Sequence, residues 1–437
     1  MSKNNSKQIS VALATATCAL LGGTAPSTAK AQEEPKWEFD TALLYYGEDN
    51  DRVQDASVSI LATRNFVDDR SLTLGLSVDS LTGATPSGAI RQGSPQTFTR
   101  PSGNSAYTIG SNSLPLDDTF RDTRAAVNAS WQQPLGRLYQ WSVGASASKE
   151  YDYLHTGVNT SIARDFNQRN TTVSAGLAFS HDEFDAVGGI PTPLSSMLDV
   201  GDLSNRSGSD TKDVVDLVFG VSQVISRNLL TQLNYSYSNS SGYLNDPYKI
   251  ISVVNGTTGD TVPRTPGPGA NGPSNEYVFE SRPDERTKHS LFGQAKYYMG
   301  GKVLDASYRY MTDDWEIDSH TVDVRYRWPF GDDKYLEPHL RFYTQSEAEF
   351  YQPSIVDGAP LPAYASFDYR LGNFDAITVG LKFGWKSRGG NDMSVRVELY
   401  QQRGDIPAGL LRGNQIGQVE YPDLDAIIVQ FGYHFDR

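Results

Sequence analysis

Apolar residues occupy every second position in one segment after another of this chain, and the pattern is clearest in residues 424–437. Small or polar residues mostly separate its large apolar ones, which are Ile427, Val429, Phe431, Tyr433 and Phe435. A repeat of two places neighbouring side chains on opposite faces of an extended strand. Such a strand fits a sandwich with its polar face in water, or a membrane barrel with its apolar face in lipid.

Sixteen segments show this alternation, and the lengths of the connections between them alternate as well. From a periplasmic amino terminus, every second connection is short, as in residues 67–69 and 134–137, and all the long connections fall in the other set. A sandwich has no reason to sort its loops in this way, whereas a transmembrane barrel has. The sequence therefore predicts an all-β fold: a single transmembrane antiparallel β-barrel of about 16 strands, with short periplasmic turns and long extracellular loops.

The predicted strands begin with Trp37–Tyr46 and end with residues 424–437, which close the barrel against the first strand. Others in the series are Arg121–Gln133, Trp315–Trp328 and Tyr335–Tyr351. An aromatic-rich final strand is also what the outer-membrane assembly machinery generally recognises, although the aromatic residue here is third from the end. We therefore expect the barrel assembly machinery and outer-membrane lipid to be partners of this chain.

The first 31 residues have the features of a secretory signal peptide. Lys3 and Lys7 precede a short apolar core, Val11–Gly23, and the sequence AKA ends at residue 31 as a cleavage site. The apolar core is too short and too rich in Ala and Thr to span a bilayer as a helix. We expect residues 1–31 to be removed on export and residues 32–437 to form a barrel in the outer membrane of a Gram-negative cell.

The exported chain is acidic and has no cysteine, because the single cysteine, Cys18, lies within the predicted signal peptide. This excludes disulfides, thiolate catalysis and cysteine metal sites. The net charge of −14 becomes −17 once the three lysines of the signal are removed, with 35 basic against 52 acidic residues. Such acidity argues against nucleic acid as a partner.

Two other classes of β-protein are disfavoured by composition and order. A secreted propeller or tandem sandwich would show a repeat of blade length, and none is visible. A TonB-dependent receptor would need a plug domain of over a hundred residues before its barrel and about six more strands. Hydrophobic residues make up only 38% of the chain, and no apolar run reaches the length of a membrane helix.

Three strings of residues resemble the domain-of-unknown-function family 3570, an uncharacterised family of Gram-negative outer-membrane proteins. They are ALLYYGED at 42–49 with DRV at 51–53, LGLSVDSLTGATPSG at 74–88, and SGYLNDPYK at 241–249. The resemblance implies a β-barrel over the mature chain and no assigned activity. It also implies an envelope redox context and a periplasmic partner, because members are often encoded near thioredoxin-like and flavin-attachment proteins.

The predicted inner face of the barrel carries charges of both signs. The residues expected to line the lumen are Asp79, Arg309, Asp323, Arg325, Arg327, Glu337, His339, Arg341, Lys382, Arg396 and Glu398. Mixed charge in a lumen fits either a polar pore or ion pairs that fill a closed barrel. Side chains alone cannot fill a barrel of sixteen strands. The sequence therefore favours a pore narrowed by an inserted loop, with several of the arginines forming one basic wall.

The candidates for catalysis are weak, and we expect neither an enzyme nor a cofactor. Residues 181–185 (HDEFD) lie at the outer end of the seventh predicted strand and could form an acid–histidine cluster at the rim. His289 and Ser290 are adjacent, so a strand would place them on opposite faces. His320 and His339 fit solvated or paired residues of the lumen.

Two acidic stretches near the outer rim could bind Ca²⁺ through oxygen ligands. They are Glu48, Asp49 and Asp51 in the first connection, and Asp313 and Asp314 further on. An ordinary solvated loop is the favoured explanation of both stretches. No spacing typical of a Cys/His metal site, a phosphate loop or a nucleotide site is present.

An aromatic girdle is the last expectation about the barrel surface. Six aromatic residues are predicted to face outward near the two membrane interfaces: Tyr45, Tyr139, Trp141, Tyr235, Trp328 and Trp385.

For function, the sequence favours a passive channel or transporter for small polar solutes or ions. The alternative is a non-conducting structural or redox-accessory barrel that partners periplasmic proteins, and a rim hydrolase is less favoured.

Overall fold

Sixteen antiparallel strands form a closed barrel in the computed structural model, which describes residues 36–50, 52–418 and 421–437. Each strand pairs with its neighbours in chain order. The barrel strands are β1 (Trp37–Glu48), β2 (Gln54–Asn65), β3 (Ser71–Pro86), β4 (Leu116–Leu135), β5 (Tyr139–Lys149), β6 (Tyr153–Phe166), β7 (Thr171–Phe184), β8 (Asp210–Ser226), β9 (Leu229–Gly242), β10 (Glu285–Met299), β11 (Lys302–Asp313), β12 (Asp318–Phe330), β13 (Lys334–Gln345), β14 (Asn373–Lys386), β15 (Asp392–Asp405) and β16 (Leu424–Asp436). The predicted fold is confirmed. The predicted signal peptide lies outside the described residues.

The last strand closes the barrel against the first, as predicted. Trp37 and Arg437 exchange two backbone hydrogen bonds, with N–O distances of 2.7 and 2.8 Å. The Phe39 and Phe435 rings stack on the outer surface with centroids 4.9 Å apart. Because every strand then has two partners, no edge is left with unpaired backbone groups.

The two faces of the wall differ in the way that a membrane barrel requires. Leu43, Val58 and Leu76 on the outer face are 52%, 45% and 46% exposed in the isolated protein. The inward positions between such residues are mostly Ser, Thr, Asn, Gln and charged side chains. The six aromatic residues expected in the girdle occupy outward positions: Tyr45, Tyr139, Trp141, Tyr235, Trp328 and Trp385.

The connections are sorted by length between the two ends of the barrel. One end carries only short turns, at residues 66–70, 136–138, 167–170, 227–228, 300–301, 331–333 and 387–391. The other end carries all five long connections, at residues 87–115, 185–209, 243–284, 346–372 and 406–423. The short turns are periplasmic and the long loops extracellular, as the alternation of lengths predicted. Among the described residues, no helix is long and apolar enough to cross a membrane.

The predicted strand boundaries at Trp315 and Tyr351 are wrong, because both residues belong to outer connections and not to the wall. Trp315 belongs to the turn before β12, where Asp313 Oδ1 accepts hydrogen bonds from the backbone N–H groups of Trp315 and Ile317, each at 3.0 Å. Tyr351 lies beyond the end of β13 and packs on Phe367, with ring centroids 5.5 Å apart. Both aromatic residues are buried beneath the outer loops, which the local alternation could not indicate.

The five long loops fold together over the outer mouth of the barrel, and we call this unit the cap. Its central sheet pairs Ile250–Val254 antiparallel with Tyr277–Phe279 and parallel with Ser354–Val356, so it joins two different loops. Smaller hairpins pair Gln96–Thr99 with Ala106–Ile109, and Ile190–Pro191 with Arg206–Ser207. The cap is therefore folded protein and not a set of separate loops.

The cap has an apolar core of its own. Phe98, Ile251 and Tyr277 are fully buried, and Ile250 is 2% exposed. The loop after β3 approaches this core closely at Gly88, whose φ is +95°. A Cβ atom at Gly88 would lie 2.3 Å from the carbonyl oxygen of Ile250, so the contact requires glycine.

Candidate functional site in the lumen beneath the cap

A cavity of about 670 Å³ lies inside the outer half of the barrel, directly beneath the cap. The inward positions of most strands form its wall, and the cap forms its roof. The roof residues are Leu244, Arg282, Asp368, Tyr369, Arg370 and Leu371. The charged and aromatic wall residues include Tyr46, His155, Asp182, Lys212, Lys288, His339, Arg341, Tyr343, Glu398 and Tyr400. This lumen cavity is lined by both charged and apolar side chains, and it has folded protein on its outer side.

Six charged residues on the inner side of the cap form one ion cluster, which we call the cap lock: Asp246, Lys249, Glu280, Arg282, Asp368 and Arg370. Arg282 Nη2 lies 2.8 Å from Asp368 Oδ2, and Arg282 Nε lies 2.7 Å from Glu280 Oε1. Arg370 contacts Asp368 and also Asp246, with an Nη2–Oδ2 distance of 2.9 Å to Asp246. Three carboxylates thus balance three cations and tie two extracellular loops together.

Lys249 extends the cap lock to the outer end of β3. Its Nζ donates a hydrogen bond to the carbonyl of Pro86 and lies 3.5 Å from Thr85 Oγ1. Residues 74–88 and 241–249 are two of the three strings that carried the family resemblance in the sequence. They meet at this contact, 163 residues apart in the chain.

Burial and neighbouring charges act in opposite directions on the groups of the cap lock. Burial disfavours the ionised form of Asp368, but the cations Arg370, Lys249 and Arg282 outweigh it and hold the pKa of Asp368 well below its usual range. Burial raises the pKa of Glu280 and lowers the pKa of Lys249. Asp368 therefore anchors the cluster as the most firmly ionised carboxylate.

His339, one of the predicted lumen residues, lies between two carboxylates on the inner wall. Its Nδ1 is 2.8 Å from Glu398 Oε1, and its Nε2 is 2.9 Å from Asp323 Oδ2. His339 reaches Glu398 across β14 because the residue between them is Gly380. A Cβ atom there would lie 2.6 Å from Glu398 Cγ. The glycine thus lets three strands share one charged group.

The predicted basic wall is interleaved with carboxylates and aromatic rings. Arg325 Nε lies 3.3 Å from Asp323, and Arg396 lies 3.8 Å from Glu337 and 3.7 Å from Glu398. These contacts place cations and anions side by side on the inner wall of the barrel. The wall is therefore mixed in sign and not uniformly basic.

Three other predicted cations of the lumen rest on aromatic rings. Arg327 lies 3.8 Å and Lys382 5.8 Å from the centroid of the Tyr335 ring. Arg309 lies 5.4 Å from the centroid of the Phe292 ring. These cation–π contacts hold three long basic side chains against aromatic rings of the barrel strands.

Asp79 lies on the opposite side of the barrel, 2.8 Å from Arg124 Nη2. Arg341 and Lys288 line the lumen cavity, and within the described part of the chain neither has a carboxylate at ion-pair distance. These two side chains are therefore the charged groups of the cavity wall that are best placed to meet a solute.

The family model described as "Protein of unknown function (DUF3570)" matches residues 10–435. The chain belongs to this family. The family resemblance of its sequence is thereby confirmed, and two of the three strings that carried it meet where Lys249 contacts Pro86 in this DUF3570 protein. No curated protein matches the sequence.

Solved structures similar to this DUF3570 barrel include the ferric enterobactin receptor PfeA from Pseudomonas aeruginosa, the siderophore receptor PirA from Acinetobacter baumannii and a bacterial polysaccharide outer membrane secretin. Their identities are 9%, 11% and 9%, their TM-scores are 0.46, 0.42 and 0.42, and the matches cover 92%, 93% and 92% of this chain. The matches span 61% and 60% of the two receptors and 100% of the secretin. With TM-scores below 0.5, they carry no argument about function.

The acid–histidine cluster considered at residues 181–185 does not form in this DUF3570 protein. His181 faces outward, with its Nδ1 2.7 Å from Asp213 Oδ1. Asp182 faces the lumen, with Oδ1 2.7 Å from His155 Nδ1 and Oδ2 2.9 Å from Lys212 Nζ. Consecutive residues of a strand lie on opposite faces, so His181 and Asp182 cannot act on one substrate.

His320 faces outward and not into the lumen as predicted. Its Nδ1 lies 2.7 Å from the Tyr308 hydroxyl, and the Tyr308 and His320 rings stack on the outer surface. His289 is arranged in the same way beside Tyr235, at 2.8 Å. These two histidines belong to the membrane-facing surface together with their tyrosines.

The two acidic rims considered for Ca²⁺ are neutralised by arginines. Glu48 Oε2 lies 3.2 Å from Arg52 Nε, and Asp313 Oδ2 lies 2.5 Å from Arg286 Nη2. Asp314 accepts a hydrogen bond from the backbone N–H of Thr287. Asp51 lies outside the described residues. Ion pairs and backbone hydrogen bonds thus occupy these carboxylates.

A buried group of three carboxylates lies elsewhere, at the outer ends of β4 and β5: Asp122, Glu150 and Asp152. One oxygen from each lies within 4.8 Å of the others. Burial, together with a hydrogen bond to Asp122, raises the pKa of Glu150 to about 9. Glu150 is therefore protonated at neutral pH, and its proton bridges the pair. The sequence did not reveal this group because its members come from two separate segments.

Proposed function

We propose that this protein is a gated outer-membrane transport protein for small polar solutes or ions. The barrel lumen is the passage, and the cap is the gate on its outer side. The observation that carries this proposal is the lumen cavity of about 670 Å³, which lies between the inward side chains of the barrel wall and the cap lock. The cavity gives a solute a place to reside on the path from the outside to the periplasm.

The wall chemistry supports a passage for polar solutes. Ser, Thr, Asn and Gln line much of β2 to β9 on the inside, and charged residues of both signs line β10 to β16. Side chains of a sixteen-strand barrel do not fill its interior. A solute in the lumen would meet hydrogen-bond donors and acceptors at every level, and would meet Lys288 and Arg341 in the cavity.

The construction of the roof supports a gate. The cap lock holds its loops together through ion pairs that are buried beneath the cap, with Asp368 1% and Arg282 7% exposed. Buried ion pairs contribute little net stability, because their attraction must offset the loss of hydration. Opening the cap would rehydrate these groups, so the closed and open forms can differ by only a small free energy. That is what a gate between two states requires.

A loop replacement tests whether the lumen is a passage. The register of β9 and β10 continues to Ser241 and Glu285, so a short Gly–Ser turn can replace residues 243–284. We expect proteoliposomes with this variant to swell rapidly in small sugars and those with the native protein to swell slowly. Replacement of the short exposed turn at residues 387–391 by a similar Gly–Ser turn is the control and should change nothing. If the loop-replaced barrel admits no solute, the transport proposal is wrong, and a non-conducting structural or redox-accessory barrel becomes the favoured function.

A further inference from the structure

Ser146, His155 and Asp182 form a hydrogen-bonded chain across three neighbouring strands. They occupy inward positions on β5, β6 and β7. His155 Nε2 lies 3.3 Å from Ser146 Oγ, and His155 Nδ1 lies 2.7 Å from Asp182 Oδ1. His155 thus uses one ring nitrogen for the serine and the other for the carboxylate.

The acid end of this chain is fixed and ionised. Asp182 is 2% exposed, and its second oxygen lies 2.9 Å from Lys212 Nζ. An ionised carboxylate accepts the proton on Nδ1 and leaves Nε2 as the basic nitrogen facing Ser146. This is the order of groups that makes a serine hydroxyl nucleophilic.

A missing side chain allows the serine and the histidine to meet. Gly157 lies opposite Ser146 on β6. A Cβ atom on Gly157 would lie 2.8 Å from Ser146 Oγ and 3.2 Å from His155 Nε2. Any larger residue would separate the two groups, so Gly157 is a requirement of the contact.

A hydrogen-bond donor lies beside the serine. Asn159 is on the same face of β6, and its side-chain amide covers Gly144, the inward residue next to Ser146 along β5. A Cβ atom on Gly144 would lie 2.9 Å from Asn159 Nδ2. This amide is the candidate donor to an oxyanion that forms on a carbonyl attacked by Ser146.

We propose that Ser146, His155 and Asp182 form a hydrolytic site in the lumen that cleaves small carboxylic esters. Ser146 Oγ attacks the ester carbonyl carbon while its proton passes to His155 Nε2. The bond from carbon to the alcohol oxygen then breaks, and the alcohol leaves with that proton. Water attacks the acyl-enzyme in the same way, which releases the carboxylic acid and restores Ser146. Ester and water are thus converted into alcohol and acid.

The position of the site defines its substrate. His155, Asp182 and Lys212 line the lumen cavity, so the substrate arrives through the lumen. The chain of three residues faces inward, away from the lipid surface, and membrane lipids in the bilayer cannot reach it. The activity goes beyond the proposed transport function, and it does not depend on whether the cap opens toward the outside.

Covalent labelling of the folded full-length barrel in detergent tests the proposal. We expect a small fluorophosphonate to modify Ser146, with the adduct located by peptide mass spectrometry. Ser146→Ala should lose the label. Ser148→Ala is the matched control. Ser148 lies on β5 like Ser146, faces inward and pairs with His155 on β6, and the reaction should not require it. Heat-modifiable migration on a gel shows that each variant is folded.

The kinetics of p-nitrophenyl acetate hydrolysis distinguish a role of Asp182 in positioning His155 from a role in the stability of the fold. Asp182 acts through His155, so Asp182→Asn should lower kcat by on the order of 10³-fold or more at an unchanged KM. The Ser148→Ala rate should equal the native rate. The proposal is overturned if the native protein takes up no label, if the adduct lies on another residue, or if Ser146→Ala hydrolyses the ester as fast as the native protein.

Discussion

Arg282 donates a hydrogen bond to Asp368 across 2.8 Å, and this contact joins two extracellular loops that are 86 residues apart. The two side chains are 5% and 0% exposed. The contact lies in the roof of the lumen cavity, where the cap separates the lumen from the outside. Closure of the outer opening by the cap therefore depends on a small number of contacts between charged side chains.

Asp368→Asn is expected to loosen the cap without unfolding the barrel. Removal of one partner from a buried ion pair costs about 3–5 kcal/mol, because the other charge is left buried. Cleavage of the cap loops by an added protease should then be about 100-fold faster or more, if cleavage follows the population of the open form. Asp425→Asn breaks an exposed contact with Arg403 and should raise the rate less than about fivefold. Equal cleavage rates in the two variants would contradict the role given to the cap lock.

Glu150→Gln is expected to remove part of the pH dependence of stability. The pKa of Glu150 is about 9 in the folded protein, and that of an unfolded glutamate is about 4.3. Between these values the folded protein holds a proton that the unfolded chain has lost, so stability falls as pH rises through this window. The temperature of the heat-induced gel shift should fall from pH 5 to pH 8.5 more in the native protein than in Glu150→Gln. An identical fall in both would show that Glu150 does not hold this proton.

The barrel could be predicted from the sequence because the patterns that define it lie within single strands and single connections. Alternation at residues such as Leu43 and Val58 fixes which side chains face lipid, and connection lengths fix which end is outside. The same alternation indicated which charges line the lumen. It could not indicate that Arg396 lies beside Glu337, because that depends on the relative register of three strands.

The cap and the serine–histidine–aspartate chain could not be predicted, because their contacts join distant segments. Lys249 and Pro86 meet across 163 residues, and no local pattern predicts such a pair. Ser146, His155 and Asp182 come from three strands. The alternation indicates that each of the three side chains faces inward. It does not indicate which of them are neighbours, because the register depends on turns whose lengths were uncertain by a residue or two.

Charge reversal at Arg325 and Arg327 is expected to shift ion selectivity toward cations. Both residues lie in the periplasmic half of the lumen, and the Arg325 side chain is 41% exposed to it. Replacement of both by Glu changes the local charge by about four units, which alters the potential in the passage. The reversal potential in a KCl gradient should report a rise of about threefold or more in the preference for K⁺ over Cl⁻. Arg403→Glu at the outer rim is the control. If it shifts the reversal potential as much as the double variant does, charges at the rim and not in the lumen determine the ion selectivity.

Single-channel recording of the Arg282→Gln variant in planar bilayers tests the central claim most directly. If the cap is a gate over a conducting lumen, loss of this cation should raise the open probability by about tenfold or more and leave the unit conductance unchanged. Arg403→Gln, which removes an exposed cation at the rim, should leave both quantities at their native values. Bilayers that stay silent with both the native protein and Arg282→Gln, or show the same open probability for the two, would contradict the account.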